Sequence, residues 1–161
     1  MKIILVPIDF SGATSRVLDV ARELGKAFGA QIHLIHVREI PSPLPTSPLA
    51  YGALGMPEMV PVPVSEIVAQ PIGPNEEEKK KLNEWKAEIE RAGLNVRLHE
   101  PMGDVVEEIL ECRKAANADA IVMGRHGHSA MYNLLVGSVT EGVLKRANCP
   151  VVLVPAAEQK S

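Results

Sequence analysis

Apolar residues along this chain alternate between short continuous runs and longer stretches of helical period. Residues 3–8, 31–37 and 118–123 are short runs rich in aliphatic side chains, a pattern that predicts strands buried on both faces of a sheet. Residues 95–99 alternate between apolar and polar, as a strand does, and 151–154 form a last apolar run. The pattern therefore predicts five strands.

Four stretches between these strands carry apolar residues at helical spacing. Their stripes are Val17, Ala21, Leu24 and Phe28; Leu82, Trp85 and Ile89; Val106, Ile109 and Leu110; and Val143, Leu144 and Ala147. Asn75 is the predicted N-cap of the second helix. Asp104 with Glu107 predicts a capping box for the third, and Ser138 with Glu141 predicts another for the fourth.

The order of elements is β-α-β, a long excursion, then α-β-α-β, a loop, and α-β. Alternating strands and helices predict an α/β protein: a single domain with an open, mostly parallel five-stranded sheet and helices on both faces. We place that domain at residues 1–155, followed by a short tail at 156–161. Ligands of such sheets bind beyond the carboxyl ends of the strands, where the strand order reverses.

The excursion, residues 41–74, differs in composition from the rest of the chain. It holds nine of the 13 prolines and only two charged residues, Glu58 and Glu66. Proline removes backbone donors and prevents regular structure. Because the segment also carries many apolar residues, we interpret it as a long loop that packs on another surface, with room for one short helical piece near 64–69, rather than as a polar linker. A loop of this length within a compact domain is usually either functional or disordered.

Composition narrows the classes of function. The 161 residues are 46% apolar with a formal net charge of −3, so a full core is available and no basic surface for nucleic acid or anionic membranes is indicated. No stretch approaches the roughly 20 apolar residues of a membrane span. Cys112 and Cys149 have no C-x-x-C spacing and are expected to pack as small hydrophobic residues. The expected location is cytoplasmic.

A glycine constellation follows the fourth predicted strand. The chain runs Met123-Gly124-Arg125-His126-Gly127, then nine residues, then Gly137-Ser138-Val139-Thr140. Glycines just past a strand let the backbone approach a ligand and adopt positive φ. The N-terminus of the helix that opens at residues 137–138 offers free N–H groups to a phosphate. The loop spanning 124–138 therefore predicts an ATP-binding site.

The spacing G-x2-G-x9-G-[ST] resembles the ATP-binding signature of the universal stress protein family. The opening Val6-Pro7-Ile8-Asp9-Phe10-Ser11 and the ending Asn148-Cys149-Pro150-Val151-Val152-Leu153-Val154 resemble the same family. The likeness covers residues 1–40 and about 75–155. It implies strand order 3-2-1-4-5 in a Rossmann-like fold, similar to the adenine nucleotide alpha hydrolases, and membership of the ATP-binding branch.

The resemblance also implies roles for individual residues. Pro7, Ile8 and Val37 would line the adenine pocket, and Asp9 would lie against the adenosine. Met123, Gly124, His126 and Gly127 would flank the ribose and phosphates, and Gly137, Ser138, Val139 and Thr140 would hold the phosphates. The cofactor that the resemblance implies is ATP, with or without bound Mg²⁺.

Some of these residues have a simpler interpretation. Asp9 is also the kind of residue that forms a turn after a strand. Ser138 could serve only as a helix cap. Arg125 could offset phosphate charge or point to solvent. His126 and His128 form an H-x-H pair, but metal binding needs further ligands, and we predict no metal site.

Three functions fit the sequence: an ATP-dependent regulatory or stress-response module, a slow ATP hydrolase, and a dimeric scaffold with a structural nucleotide. A hydrolase needs a residue that positions water. The loop offers no carboxylate before Glu141, which the capping box explains, so binding with at most slow hydrolysis is favoured. ADP, AMP and cyclic nucleotides stay open as alternatives to ATP.

The apolar run Val151–Val154 predicts a homodimer through an edge strand.

Overall fold

The computed structural model describes residues 1–39, 75–125 and 136–155. Within these ranges the strands form one parallel five-stranded sheet in the order β3-β2-β1-β4-β5. They are β1 Ile3–Pro7, β2 Gln31–Ile35, β3 Val96–His99, β4 Ala120–Gly124 and β5 Val151–Val154. The predicted α/β class and strand order are therefore confirmed. The second strand ends two residues before the predicted boundary, and the first ends one residue before it.

Four helices accompany the sheet in the described ranges. They are α1 Thr14–Phe28, α2 Glu76–Arg91, α3 Val105–Ala116 and α4 Ser138–Arg146. Gly29 ends α1 in the left-handed conformation, which glycine adopts without steric cost. Asn75 caps α2, because its side-chain oxygen accepts a hydrogen bond from the N–H of Glu77 at 3.0 Å. None of the described helices is both long and apolar enough to span a membrane.

The capping box predicted at α3 forms only in part. Asp104 accepts a hydrogen bond from the N–H of Glu107 at 3.0 Å, as an N-cap should. The carboxylate of Glu107 is held instead by the guanidinium of Arg146 on α4, with Nη2 2.8 Å from Oε2. This hydrogen bond lowers the pKa of Glu107. A tertiary ion pair has replaced the reciprocal local contact.

The core has one part on each face of the sheet. On one face the buried side chains of α1 and α2, among them Val17, Leu82 and Ile89, pack against β1 and β2. On the other face Ile109 and Val143, from α3 and α4, pack against strand residues such as Leu5. Trp85 is partly buried on its predicted stripe. Phe28, the last member of the α1 stripe, is instead 54% exposed. The last turn of α1 therefore extends beyond the edge of the core.

Contacts within the chain group it into two compact units. The sheet belongs to the unit formed by residues 1–40 and 80–161. The second unit spans residues 41–79, of which the structure describes only 75–79. The predicted excursion at 41–74 and the tail at 156–161 lie outside the described residues.

Candidate functional site

A cavity of about 570 Å³ opens at the carboxyl ends of the central strands. It lies where the chain leaves β1 and β4, next to the segment that follows β2 and to the N-terminus of α4. Ten predicted site residues line it: Pro7, Ile8, Asp9, Val37, Met123, Gly124, Gly137, Ser138, Val139 and Thr140. Residues far apart in the sequence thus share one cavity at the point where the strand order of the sheet reverses.

The other two predicted site residues, His126 and Gly127, lie outside the described residues. So does His128, the second member of the H-x-H pair. In the part of the chain that the structure describes, no three His, Cys, Asp or Glu side chains are grouped so that they could hold a metal ion.

Asp9 forms the turn that the simpler interpretation of its role expected. Its Oδ1 accepts a hydrogen bond from the N–H of Ser11 at 3.0 Å and from the hydroxyl of Thr14 at 3.3 Å. The carboxylate is nevertheless exposed and lines the cavity. Asp9 therefore shapes the turn after β1 and also presents negative charge to the cavity.

The N-terminus of α4 differs from the predicted capping box. The N-cap is Gly137, and no side chain among the described residues caps the helix. Ser138 is the first helical residue and is exposed on the cavity. Glu141 is engaged by Lys145, with 2.6 Å between Oε1 and Nζ, and this hydrogen bond lowers the pKa of the Glu141 carboxyl. The capping role predicted for Ser138 and Glu141 is wrong, and the helix end remains open toward the cavity.

Thr140 has a structural bond that sequence spacing could not show. Its side chain is almost fully buried, and its hydroxyl donates to the carbonyl oxygen of Gly124 at 3.0 Å. The N–H of Gly137 likewise donates to the carbonyl of Arg125 at 3.0 Å. These two bonds fix the first turn of α4 against the end of β4. Thr140 thus holds the wall of the cavity together.

Positive φ is not the reason for the two described motif glycines. Gly137 has φ −73° and ψ 157°, which is extended backbone. Gly124 is the last residue of β4 and is not among the residues with positive φ. The predicted positive φ is therefore wrong for Gly124; for Gly137, which was predicted only to open the helix, no such conformation was expected. Their contribution is the absence of a side chain where the backbone borders the cavity.

Several lining residues were not predicted from the sequence. They include Thr14, His36, Glu39, Val105 and Ile109. Thr14 is the first residue of α1 and follows directly after the turn that ends β1. Its position in the sequence could therefore have predicted that it lines the cavity. Val105 and Ile109 come from α3, and only knowledge of the packing of that helix against the sheet could have placed them here.

A second, more open cavity of about 470 Å³ lies between α3 and the β2–β3 edge of the sheet. A hydrogen bond of 3.0 Å joins Nδ1 of His33 to Nε2 of His99, and the two rings stack. Nε2 of His33 is buried without a hydrogen-bond partner among the described residues. Burial, followed by the positive charge of Arg97, lowers the pKa of His99. Burial, followed by His99 and Arg97, lowers the pKa of His33.

The predicted family and fold agree with comparisons to known proteins. A model of the universal stress protein family matches residues 1–155. The chain belongs to the universal stress protein family. The universal stress protein MJ0577 of Methanocaldococcus jannaschii is 33% identical over 156 residues, which cover 95% of this chain and 94% of that protein. The predicted family membership is confirmed.

Solved structures show the same universal stress protein fold. The structure of MJ0577 matches with a TM-score of 0.74 at 26% identity, over 98% of both chains. A universal stress protein of Archaeoglobus fulgidus in complex with dAMP matches with a TM-score of 0.59 at 21% identity, over 96% of this chain and 97% of that one. A third universal stress protein, in complex with cAMP, matches with a TM-score of 0.63 at 18% identity, over 97% and 98%.

Proposed function

We propose that this universal stress protein binds an adenine nucleotide, with ATP as the preferred ligand, in the cavity between β1, β4 and α4. Binding would act through a change in conformation or in affinity for a partner. The single observation that carries the proposal is the convergence of ten predicted residues on one cavity. Its volume, about 570 Å³, falls within the range of about 300–1,000 Å³ typical of small-molecule sites.

The cavity has an apolar side that suits a base. Ile8 and Val37 are buried, and Val105 and Ile109 complete a lining of aliphatic side chains. Flat aromatic ligands gain most of their affinity from such surfaces, while a few polar groups fix their orientation. The adenine ring is proposed to lie here, with Asp9 facing the ribose from the end of β1.

The opposite side of the cavity suits phosphates. The first turn of an α-helix has N–H groups without partners inside the helix, and its dipole favours negative charge. Among the described residues no side chain caps that end of α4, and the exposed hydroxyl of Ser138 adds a donor. The open helix end is the part of the site that favours a nucleotide over a nucleoside.

The identity of the nucleotide is a finer proposal. Two of the neighbours were solved in complex with dAMP and cAMP, which are monophosphates. The preference for ATP rests on the glycine spacing, which resembles the ATP-binding signature of the family. Mg²⁺ is proposed to bind only together with the triphosphate.

A regulatory function is preferred over hydrolysis because of the carboxylates. Glu141 is paired with Lys145, and Asp9 is committed to its turn through Oδ1. A hydrolase needs a group that positions water beside the terminal phosphate. Neither carboxylate is offered in that role. Glu39, the other described carboxylate that lines the cavity, comes from the segment after β2 and not from the turn that leads into α4. Any turnover is therefore proposed to be slow.

The chain is further proposed to be a cytoplasmic homodimer that pairs through β5. This strand is at the edge of the described sheet, and its sequence Val151–Val154 carries no charge. Leu144 on the adjacent α4 is 41% exposed. An uncharged apolar edge favours pairing with a two-fold mate.

Calorimetry with ATP, ADP, AMP and cAMP tests the proposed function, using protein stripped of nucleotide. We expect one site per chain and tightest binding of ATP. Gly137→Val keeps the extended backbone, which valine also prefers, but places a side chain in the cavity. It should lower affinity by about tenfold or more. Gly12→Val is the matched control, because a Cβ at Gly12 meets nothing within 4 Å and Gly12 does not line the cavity. Absence of binding by the wild-type protein would refute the proposal.

A further inference from the structure

The backbone at Phe10 is in an unusual conformation. Its φ is 57°, in the left-handed region that bulky side chains rarely adopt. Asn117 is the other described non-glycine residue with positive φ, and it occupies the C-cap of α3, where asparagine is common. No such local rule accounts for a phenylalanine at residue 10. Contacts with the surrounding structure must hold it there.

Those contacts are aromatic. The ring of Phe10 meets His36 edge-on, with 4.7 Å between ring centroids. The ring of Phe10 also contacts the ring of Trp85 on α2, with 5.3 Å between the ring centroids and 33° between the ring planes. His36 is itself fixed, since its Nδ1 lies 3.0 Å from the carbonyl oxygen of Ile8. Phe10 is thus clamped between the segment after β2 and helix α2.

The clamped residue sits between two groups that face the ligand cavity. Asp9 and Ser11 both line the cavity, whereas Phe10 is outside the lining that the described residues form. The N–H of Ser11 donates to the carboxylate of Asp9 across Phe10. The φ of Phe10 therefore decides how the Asp9 carboxylate and the Ser11 side chain are presented to the cavity.

We propose that Phe10 is a positioning residue that holds the Asp9–Ser11 turn in its ligand-ready shape, supported from behind by Trp85. The inference deepens the proposed function, because the turn it holds belongs to the proposed nucleotide site. Trp85 never meets the ligand in this arrangement, yet its removal loosens the turn. The aromatic contact also makes α2 sensitive to changes at the turn.

The first test needs no nucleotide. Hydrogen exchange of the Ser11 amide is measured in the ligand-free protein, its Trp85→Leu variant and its Trp85→Phe variant. Trp85→Leu should raise exchange at Ser11 about two- to tenfold, in line with the strength of an aromatic pair, and Trp85→Phe should restore most of the protection. Ile89→Val is the control, because Ile89 is buried on the same helix but offers no aromatic ring to Phe10. Unchanged exchange at Ser11 in Trp85→Leu would overturn the proposal, whether or not the protein binds nucleotide.

The second test measures affinity. Trp85→Leu should weaken nucleotide binding about two- to tenfold, while Ile89→Val leaves it unchanged. Phe10→Gly tolerates the left-handed backbone but lets the turn sample other shapes, so it should weaken binding similarly. Combining it with Trp85→Leu should add little, because both changes remove the same contact. Full affinity in Trp85→Leu together with a lowered melting temperature would show that the aromatic contact is only structural and would refute the proposal. Failure of the wild-type protein to bind would refute the proposed function alone, since the exchange test still decides the role of Phe10.

Discussion

Ser138 and Thr140 are two hydroxyl residues on one turn of α4, and the structure gives them opposite roles. Thr140 is buried, and its hydroxyl donates to the carbonyl of Gly124 at 3.0 Å. Ser138 is exposed, faces the cavity and caps nothing. We therefore expect Thr140→Val to affect mainly stability and Ser138→Ala to affect mainly nucleotide affinity.

The magnitudes follow from the bonds that each change removes. Thr140→Val retains the shape of the side chain but leaves the Gly124 carbonyl without its donor, which costs about 1–2 kcal/mol. For a chain of this length that lowers the melting temperature by about 2–8 °C. Ser138→Ala at an exposed position should change stability by less than about 0.5 kcal/mol. Loss of a hydrogen bond to a charged phosphate should weaken binding by about 1.5–3 kcal/mol, or roughly 10- to 150-fold.

Urea unfolding without ligand and calorimetry with ATP separate the two effects. Thr14→Val is a further comparison, because it removes the hydroxyl that donates to Asp9 at the other wall of the cavity. A stability loss of about 1 kcal/mol in Ser138→Ala would mean that Ser138 caps the helix after all. Unchanged affinity in that variant would remove Ser138 from the site.

Three further predictions concern pH, assembly and turnover. The pKa values of His33 and His99 are lowered in the folded state, so the unfolded chain binds more protons than the folded one as the pH falls below about 6.5. The contribution of these histidines to stability should therefore be full above that pH and decline below it. His99→Asn should make the decline shallower, as measured by thermal unfolding at a series of pH values. Val152→Lys should shift the proposed dimer toward monomer in light scattering; an unaffected dimer would place the interface elsewhere. Steady-state ATP hydrolysis should be slower than about 1 s⁻¹, and a faster rate that Gly137→Val abolishes would favour the hydrolase.

Much of this fold could be predicted because its signals are local. The buried aliphatic runs identify the strands, and Asn75 and Asp104 cap their helices as predicted. The strand order came from the resemblance, and the clustering of the motif residues at the ends of β1 and β4 follows from that order. Once the sheet is known to run β3-β2-β1-β4-β5, residues such as Asp9 and Gly137 have to meet.

The remaining features depend on tertiary contacts. Glu107 satisfies the sequence pattern of a capping box, but Arg146 from another helix competes for its carboxylate. Glu141 differs, because the residue that engages it, Lys145, lies one turn further along the same helix, so a local i,i+4 pair has replaced the capping contact. The left-handed φ of Phe10 depends on rings that arrive from β2 and α2. Sequence spacing identifies the candidates for local bonds, but it does not show which longer-range partner wins them.

The pairing of β1 with β4 has a consequence for how the protein is made. Ile4 lies opposite Ala120, so the two walls of the cavity come from opposite ends of the chain. A polypeptide emerging from the ribosome cannot form the site until α4 has been synthesised and packed. A nucleotide that binds only the finished site would stabilise the whole fold by about 2.7 kcal/mol at a concentration of 100 times its Kd. Nucleotide occupancy would then report that β1, β4 and α4 have all been synthesised and packed together.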